Sequence, residues 1–240
     1  MATRNRIRIG EARRAMRKLL ADPDDTAQAF RVIAALSGGS GGRLFQRFRQ
    51  SPGGAKILAE KRHLFDVLND VEGLRAMPAG SLGAAIAEFY DGEQLSAQGL
   101  ADASQAAFGG VGSRIDDSDP DAALFATRLR DLHDVFHVVT GYGRDLRGEA
   151  AVLAFTVPQT RNPGIAYLVL TVLRRAGPRS PLGQLIRQAF GRGRRSAWLV
   201  DQDWESLLPM PIESVREELG LGAPPDYEPV RSAGAPPLPS

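Results

Sequence analysis

PDAALFATRLRDLHDVFHVVTGYGRDLRGEAAVLAF, residues 120–155, decides how this 240-residue chain is read. Pro120 suits the first turn of a helix, and apolar residues then recur at helical spacing, so a helix is expected from Pro120 to His137. TGYGRDLRG breaks that pattern with Gly141 and Gly143, and a second helix is expected from Leu146 to Phe155. The first helix holds two of the chain's 3 histidines. His133 and His137 are four residues apart and stack on one helix face. That spacing can present two imidazoles to one ion. Asp134 lies about 100° around the helix, where its carboxylate can act as a ligand or orient an imidazole. Glu149 stands near the start of the second helix, and an αα-hairpin can swing it back over the pair. Two histidines with two carboxylates suit zinc, and equally iron or manganese. The bland alternative is a polar stripe with ordinary partners, with Glu149 merely favoured by the helix dipole. Spacing leaves both readings open.

The rest of the chain follows the same period. Helices are expected over Glu11–Leu20, Ala27–Leu36, Gly54–Asn69, Gly83–Tyr90, Ser96–Gln105, Gly164–Arg175, Pro181–Phe190 and Trp204–Leu219. SGGSGG, Ser37 to Gly42, reads as a flexible break. Strictly alternating runs are few, so the fold class is all-α: a single-domain helical bundle over residues 1–222. Residues 223–240, rich in proline, form an extended or disordered tail.

With 43% hydrophobic and 24% charged residues, the composition is that of an ordinary globular protein. There is no cysteine, which excludes disulfides, Cys-based zinc fingers and iron–sulfur clusters, so any metal needs nitrogen and oxygen ligands. The formal charge is only +2, but its distribution is uneven. Ala150–Val200 contains no acidic residue while holding Arg161, Arg174, Arg175, Arg179, Arg187, Arg192, Arg194 and Arg195. The N-terminal segment is also Arg-rich. Both regions favour an anionic partner such as a membrane surface, unless they are simply solvated. The longest apolar run, Ile165 to Leu173, is about half of a membrane span. It reads equally as a helix lying on anionic lipid or as a core helix with Arg174 and Arg175 at its C-terminal end. GRGRR, Gly191 to Arg195, reads as a solvated turn before a phosphate site. Trp198 and Trp204 read as core or interfacial anchors. Nucleic acid is not expected as a partner, since the basic residues are not interleaved with aromatics. An intracellular location is the simplest expectation.

The pattern His133-Asp134-x-x-His137, eleven residues, then Glu149 resembles the signature of the coenzyme Q (ubiquinone) biosynthesis protein 4 family. The likeness extends over RLRDLHDVFHVVTGYGRDLRGEAAVLAF (Arg128–Phe155), over MPAGSLG (Met77–Gly83) upstream, and over DWESLLPMPIESVREELGL (Asp203–Leu221) downstream. It covers roughly residues 10–222. The resemblance implies a metal, usually zinc, bound by His133, Asp134, His137 and Glu149. It further implies a helical, often homodimeric protein, peripheral on the cytoplasmic or matrix face of the membrane that holds the quinone pathway. The implied substrate is a polyprenylated aromatic quinone precursor, a hydroxybenzoate that loses its C1 carboxyl group and gains a hydroxyl there.

Two other functions fit parts of the sequence. One is a non-catalytic prenyl-lipid-binding scaffold that organises other quinone-biosynthesis enzymes around a structural ion. The other is an HD-type metal phosphohydrolase using His63, the His133-Asp134 pair and a later aspartate, Asp145 or Asp201. That last pattern gives His137 and Glu149 no role.

Overall fold

The computed structural model describes residues 6–23, 25–93 and 119–230. Among them the chain is all-α, as the periodicity predicts, with one isolated bridge between Ser81 and Pro211 and no strand. The helices are α1 (Ile9–Ala21), α2 (Thr26–Leu36), α3 (Ser40–Gln50), α4 (Pro52–Ala59), α5 (Leu64–Asn69), α6 (Val71–Arg75) and α7 (Leu82–Glu93). After them come α8 (Pro120–Thr140), α9 (Leu146–Thr160), α10 (Pro163–Ala176) and α11 (Pro181–Arg195). A 3₁₀ turn (Leu199–Asp201), α12 (Trp204–Leu207) and α13 (Ile212–Glu218) complete the fold. The helix expected over Ser96–Gln105 and the tail beyond residue 230 lie outside the described residues.

The long helices start where the sequence places their caps. Asp119 Oδ1 accepts the Asp121 and Ala122 amides ahead of α8, Asp145 caps α9, Asn162 caps α10 and Ser180 caps α11. Each such cap contributes about 1 kcal/mol. Three of the four are followed directly by proline, whose missing N–H is no loss at that position. Gly141 ends α8 in the left-handed conformation, φ 76°, which a side chain would strain.

Three apolar clusters join these elements. The largest gathers α7, α8, α9, α11, α12 and α13 around Leu132, Val135, Phe155, Ile186 and Trp204. A second packs Phe45 and Phe48 of α3 on Phe125 of α8. A third joins α1, α2 and α10 through Met16, Val32 and Leu168. Helices α9 and α11 approach so closely that a Cβ at Gly193 would meet the Phe155 carbonyl at 2.2 Å. Ile165, Leu168 and Val169 of the apolar run are buried in this packing, whereas Leu170 is exposed. No helix among the described residues is long and apolar enough to cross a membrane.

Several expectations are corrected. SGGSGG is not simply a break: α3 begins inside it at Ser40, because Leu44, Phe45 and Phe48 gain burial at helical spacing. Gly54–Asn69 divides into α4 and α5 at Lys61, which adopts φ 50°. Trp204–Leu219 divides at Pro209 and Pro211, where the chain pairs instead with residues 80–83 through Leu82 N–Met210 O and Ile212 N–Gly80 O bonds. GRGRR is the last turn of α11 rather than a loop. Its Arg192 is buried, donating to the carbonyls of Thr140 (2.9 Å), Leu221 (3.1 Å) and Ala223 (3.2 Å). Arg216 of α13 reaches the same helix end, donating to Val139 O and Val138 O at 3.0 Å each. A third buried arginine, Arg128, pairs with Glu205 at 2.6 and 2.9 Å and ties α8 to α12.

The first part of the Pro-rich tail is extended but tied down. Residues 223–230 run over the α8–α9 turn, with Leu146 N bonded to Val230 O at 2.8 Å and the Tyr227 hydroxyl to Asp145 at 2.7 Å.

The last carbonyls of a helix have no partner within it, and an unmet buried carbonyl costs about 1–3 kcal/mol. Replacing Arg216 by methionine strips Val138 and Val139 while keeping the bulk. Arg216→Met should therefore lower unfolding free energy by about 2–4 kcal/mol, read as a fall in urea midpoint at unchanged slope.

Candidate metal centre

Helix α8 carries His133 and His137 one turn apart, and their rings meet edge to face with centroids 4.7 Å apart. The turn through Gly141 and Gly143 reverses the chain, and α9 brings Glu149 back over them. Its Oε2 lies 3.6 Å from His137 Nε2 and 3.8 Å from His133 Nε2. The αα-hairpin expected from the sequence thus closes the group, and the three side chains are the one cluster of ligating atoms found among the described residues.

These separations are longer than hydrogen bonds. They are close to the spacing of atoms that share one ion, since ligands at 2.0–2.1 Å in tetrahedral array sit about 3.4 Å apart. A further observation supports the fit. His137 Nε2 is fully buried and has no hydrogen-bond partner, an arrangement that costs free energy unless something binds the nitrogen. The opposite nitrogen is held: His137 Nδ1 lies 2.8 Å from the Tyr142 carbonyl. Nδ1 must donate there, so in the neutral ring the lone pair is on Nε2 and faces the cluster. Phe89 of α7 stacks on the His137 ring at 5.6 Å and leaves that face apolar.

Asp134 stands apart from this group. Consecutive helical residues diverge by about 100°, and the buried Asp134 carboxylate approaches the other side of His133, Oδ1 to Nδ1, at 3.7 Å. In this structure it is placed to orient the His133 ring rather than converging with the three ligand atoms. Asp134 also acts on α7: burial, then the charges of Asp134 and Asp131, push the Tyr90 phenol far up, and its hydroxyl is buried without a partner. Asp131 is pushed up to about 6 by burial, against the pull of Arg130. Arg144, in the α8–α9 turn, places Nε 3.4 Å from Glu149 Oε1.

Electrostatically, the cluster behaves as a site awaiting a cation. Burial alone would lower His137, but the Glu149 carboxylate, the Tyr142 carbonyl and Asp134 outweigh it and raise the imidazole. Burial alone would raise Glu149, but His137, His133 and Arg144 bring it down to about 2. Without an ion, then, the Glu149 carboxylate makes His137 easier to protonate than a free imidazole.

The remaining sequence candidates fall elsewhere. His63 precedes α5 and is not in the cluster, and Asp145 spends its carboxylate on the α9 amides and the tail. Asp201 Oδ1 accepts from Gln202. Phe89, Tyr90 and the Tyr142 carbonyl were not singled out from the sequence. Aromatic residues in a buried helix and a backbone oxygen carry no signal of their own there.

The sequence model described as coenzyme Q (ubiquinone) biosynthesis protein Coq4 matches residues 20–225. A ubiquinone biosynthesis protein coq4, mitochondrial, from Botryotinia fuckeliana is 28% identical over 191 residues, 79% of this chain and 64% of the relative. The Bos taurus homolog, also named mitochondrial, is 29% identical over 206 residues, 81% of this chain and 72% of its own length. The chain thus spans slightly less than two thirds of the fungal protein. A crystal structure of a protein assigned to ubiquinone biosynthesis in Nostoc punctiforme matches 91% of this chain and all of that one, with a TM-score of 0.62 at 20% identity, a likeness of fold. The chain belongs to the coenzyme Q (ubiquinone) biosynthesis protein Coq4 family.

Metal and proton compete for the same nitrogen. With His137 raised, affinity should begin to fall above the ordinary imidazole midpoint of about 6.5 and keep weakening as pH drops. Titrating metal-free protein with Co²⁺ and following its visible absorption between pH 8 and pH 5.5 checks this. His137→Ala should weaken binding by about two orders of magnitude, since it removes one of three ligands.

Proposed function

We propose that this member of the ubiquinone-biosynthesis family removes the C1 carboxyl group of a polyprenylated hydroxybenzoate precursor as carbon dioxide, a solvent proton taking its place on the ring carbon, or a hydroxyl where dioxygen serves as oxidant, using a divalent ion, zinc first among candidates. His133, His137 and Glu149 hold the ion, with Asp134 on the far side of the His133 ring. One observation carries the catalytic reading: the cluster is closed on one side only. The His137 side chain is 0% exposed, whereas His133 and Glu149 are 33% and 32% exposed. Structural zinc sites are closed by four protein ligands, while catalytic ones keep three and leave a position for water or substrate.

When bound, the ion supplies positive charge beside the ring as its carboxyl departs. The protein's own residues do the rest. Arg144, at the open side, engages the substrate carboxylate or phenolate in place of its contact with Glu149. Phe89 supplies an apolar wall that keeps water from the His137 face. The Tyr142 carbonyl holds the His137 imidazole in the tautomer that leaves Nε2 free, and the Asp134 carboxylate lies on the Nδ1 side of His133.

A second reading, the prenyl-lipid-binding organiser of quinone enzymes, draws on a different part of the molecule. A groove of about 500 Å³ lies between α1 and α10, lined by Arg13, Arg14, Arg17, Met16, Leu20 and Tyr167. Ile7, Ile9 and Leu170 are exposed on these segments. Arginines around an apolar floor suit an anionic membrane surface, which would deliver the lipid substrate under either reading.

The purified chain, loaded with Zn²⁺ or Fe²⁺, should release the labelled carboxyl carbon of a prenylated hydroxybenzoate. His137→Ala and Glu149→Gln should each lower the rate at least about a hundredfold. Carboxyl loss that survives unchanged in His137→Ala removes the catalytic reading, as does its absence from the metal-loaded wild type. In parallel, Arg13→Gln/Arg14→Gln/Arg17→Gln should lose sedimentation with phosphatidylglycerol vesicles yet keep turnover of detergent-dispersed substrate. Retained sedimentation would remove the membrane role of the groove.

A further inference from the structure

The residues after 225 lie beyond the match to the family, yet they make some of the closest polar contacts near the ion site. The Tyr227 hydroxyl accepts the Gly143 amide at 2.8 Å and donates to Asp145 Oδ2 at 2.7 Å. Asp145 Oδ1 in turn accepts the amides of Arg147 (3.0 Å), Gly148 (3.3 Å) and Val230 (2.9 Å). One hydroxyl therefore bridges the turn after α8 to the carboxylate that starts α9. The approach is so close that a Cβ on Gly148 would meet the Tyr227 oxygen at 2.6 Å and the Gly143 carbonyl at 2.0 Å. Pro224 closes over Gly141, and the Tyr227 ring lies 6.3 Å from that of Tyr142.

Two of the three candidate ligands depend on this turn. Glu149 follows directly after Gly148 in the first turn of α9, so its position depends on the Asp145 cap. His137 is oriented by the carbonyl of Tyr142, which immediately precedes Gly143. We propose that Tyr227 is a positioning residue for the ion site: its hydroxyl sets the 142–149 turn so that Glu149 Oε2 and His137 Nε2 converge. The proposal rests on reading His133, His137 and Glu149 as ion ligands. In this role the C-terminal strap belongs to the site, although it touches neither ion nor substrate.

Groups that orient ligands from outside the coordination sphere typically change metal affinity by about 10–100-fold when lost. Tyr227→Phe in the 240-residue chain keeps the ring and its packing while removing both hydroxyl bonds. It should weaken Co²⁺ binding about tenfold and change the intensity of the cobalt visible bands, which report ligand geometry. Glu228→Ala, which removes only an exposed contact with Arg147, serves as the strap control and should leave affinity and spectrum as in the wild type. Amide exchange in the metal-free protein should rise at residues 142–149 in Tyr227→Phe, while the far helices α1 and α2 keep their protection. If exchange rises but affinity and spectrum stay at wild-type values, Tyr227 is structural only and the proposal falls. If the wild type itself takes up no Co²⁺ under these conditions, the ion-site reading falls and this proposal with it. Altered binding in Tyr227→Phe with wild-type binding in Glu228→Ala sustains both.

Discussion

The C-terminal end of α8 is buried, and everything near the site depends on how its carbonyls are met. Val138, Val139 and Thr140 receive bonds from two guanidinium groups, Arg216 and Arg192. Burying a cation is costly unless geometry and charge are both right. Here a planar fork of donors meets the negative end of a helix, and Arg192 spends its remaining donors on Leu221 and Ala223. Four separate parts of the chain, α8, α11, α13 and the start of the tail, are thereby fixed to one point. His137 lies in that same last turn, so the anchoring that terminates the helix also locates the buried histidine of the cluster.

From that point the site is built by reversal. Gly141 takes the left-handed conformation, the chain turns, and the Asp145 cap restarts a helix aimed back along α8. The result opposes one carboxylate to two imidazoles, at distances that are poor for hydrogen bonds and good for a shared ion. The charge states agree with the geometry. The Glu149 carboxylate favours positive charge at His137, and a metal ion that takes the place of a proton there meets three convergent ligand atoms already in place.

Much of this was legible in the sequence. The i, i+4 histidines, the glycine turn and Glu149 in the next helix outline the cluster without separating it from a polar stripe, the family resemblance favours the ion site, and the helical period gives the fold class. What escaped depended on partners far away in sequence. The direction of Asp134 was left open by helical spacing, and the packing against α7 decides it. Glycines in SGGSGG argue against helix locally, yet Phe45 and Phe48 pack on Phe125 and tertiary burial prevails over propensity. The prolines of the tail suggested an extended or disordered segment, because nothing local announces that Tyr227 would find Asp145. Arg192 was read as part of a basic stretch that wants an anionic partner, whereas the carbonyls of its own fold consume it.

The arginines divide into two populations, and the division explains how a chain of formal charge +2 can present a basic face. Arg128, Arg192 and Arg216 are buried and answered internally, by Glu205 or by helix-end carbonyls. Their charges do little at the surface. Arg13, Arg14 and Arg17 of α1 are exposed, as are Arg174 and Arg175 at the end of α10, and none of them makes an ion pair among the described residues. Cations at the end of α10 are favoured by its own dipole, but α1 offers no such reason, since Arg13 and Arg14 fall well before its last turn. A basic α1 beside an apolar groove is therefore not accounted for by the stability of the fold. Its charge faces outward, on elements distinct from those that carry His133, His137 and Glu149, so the basic face and the candidate cation site share no residue.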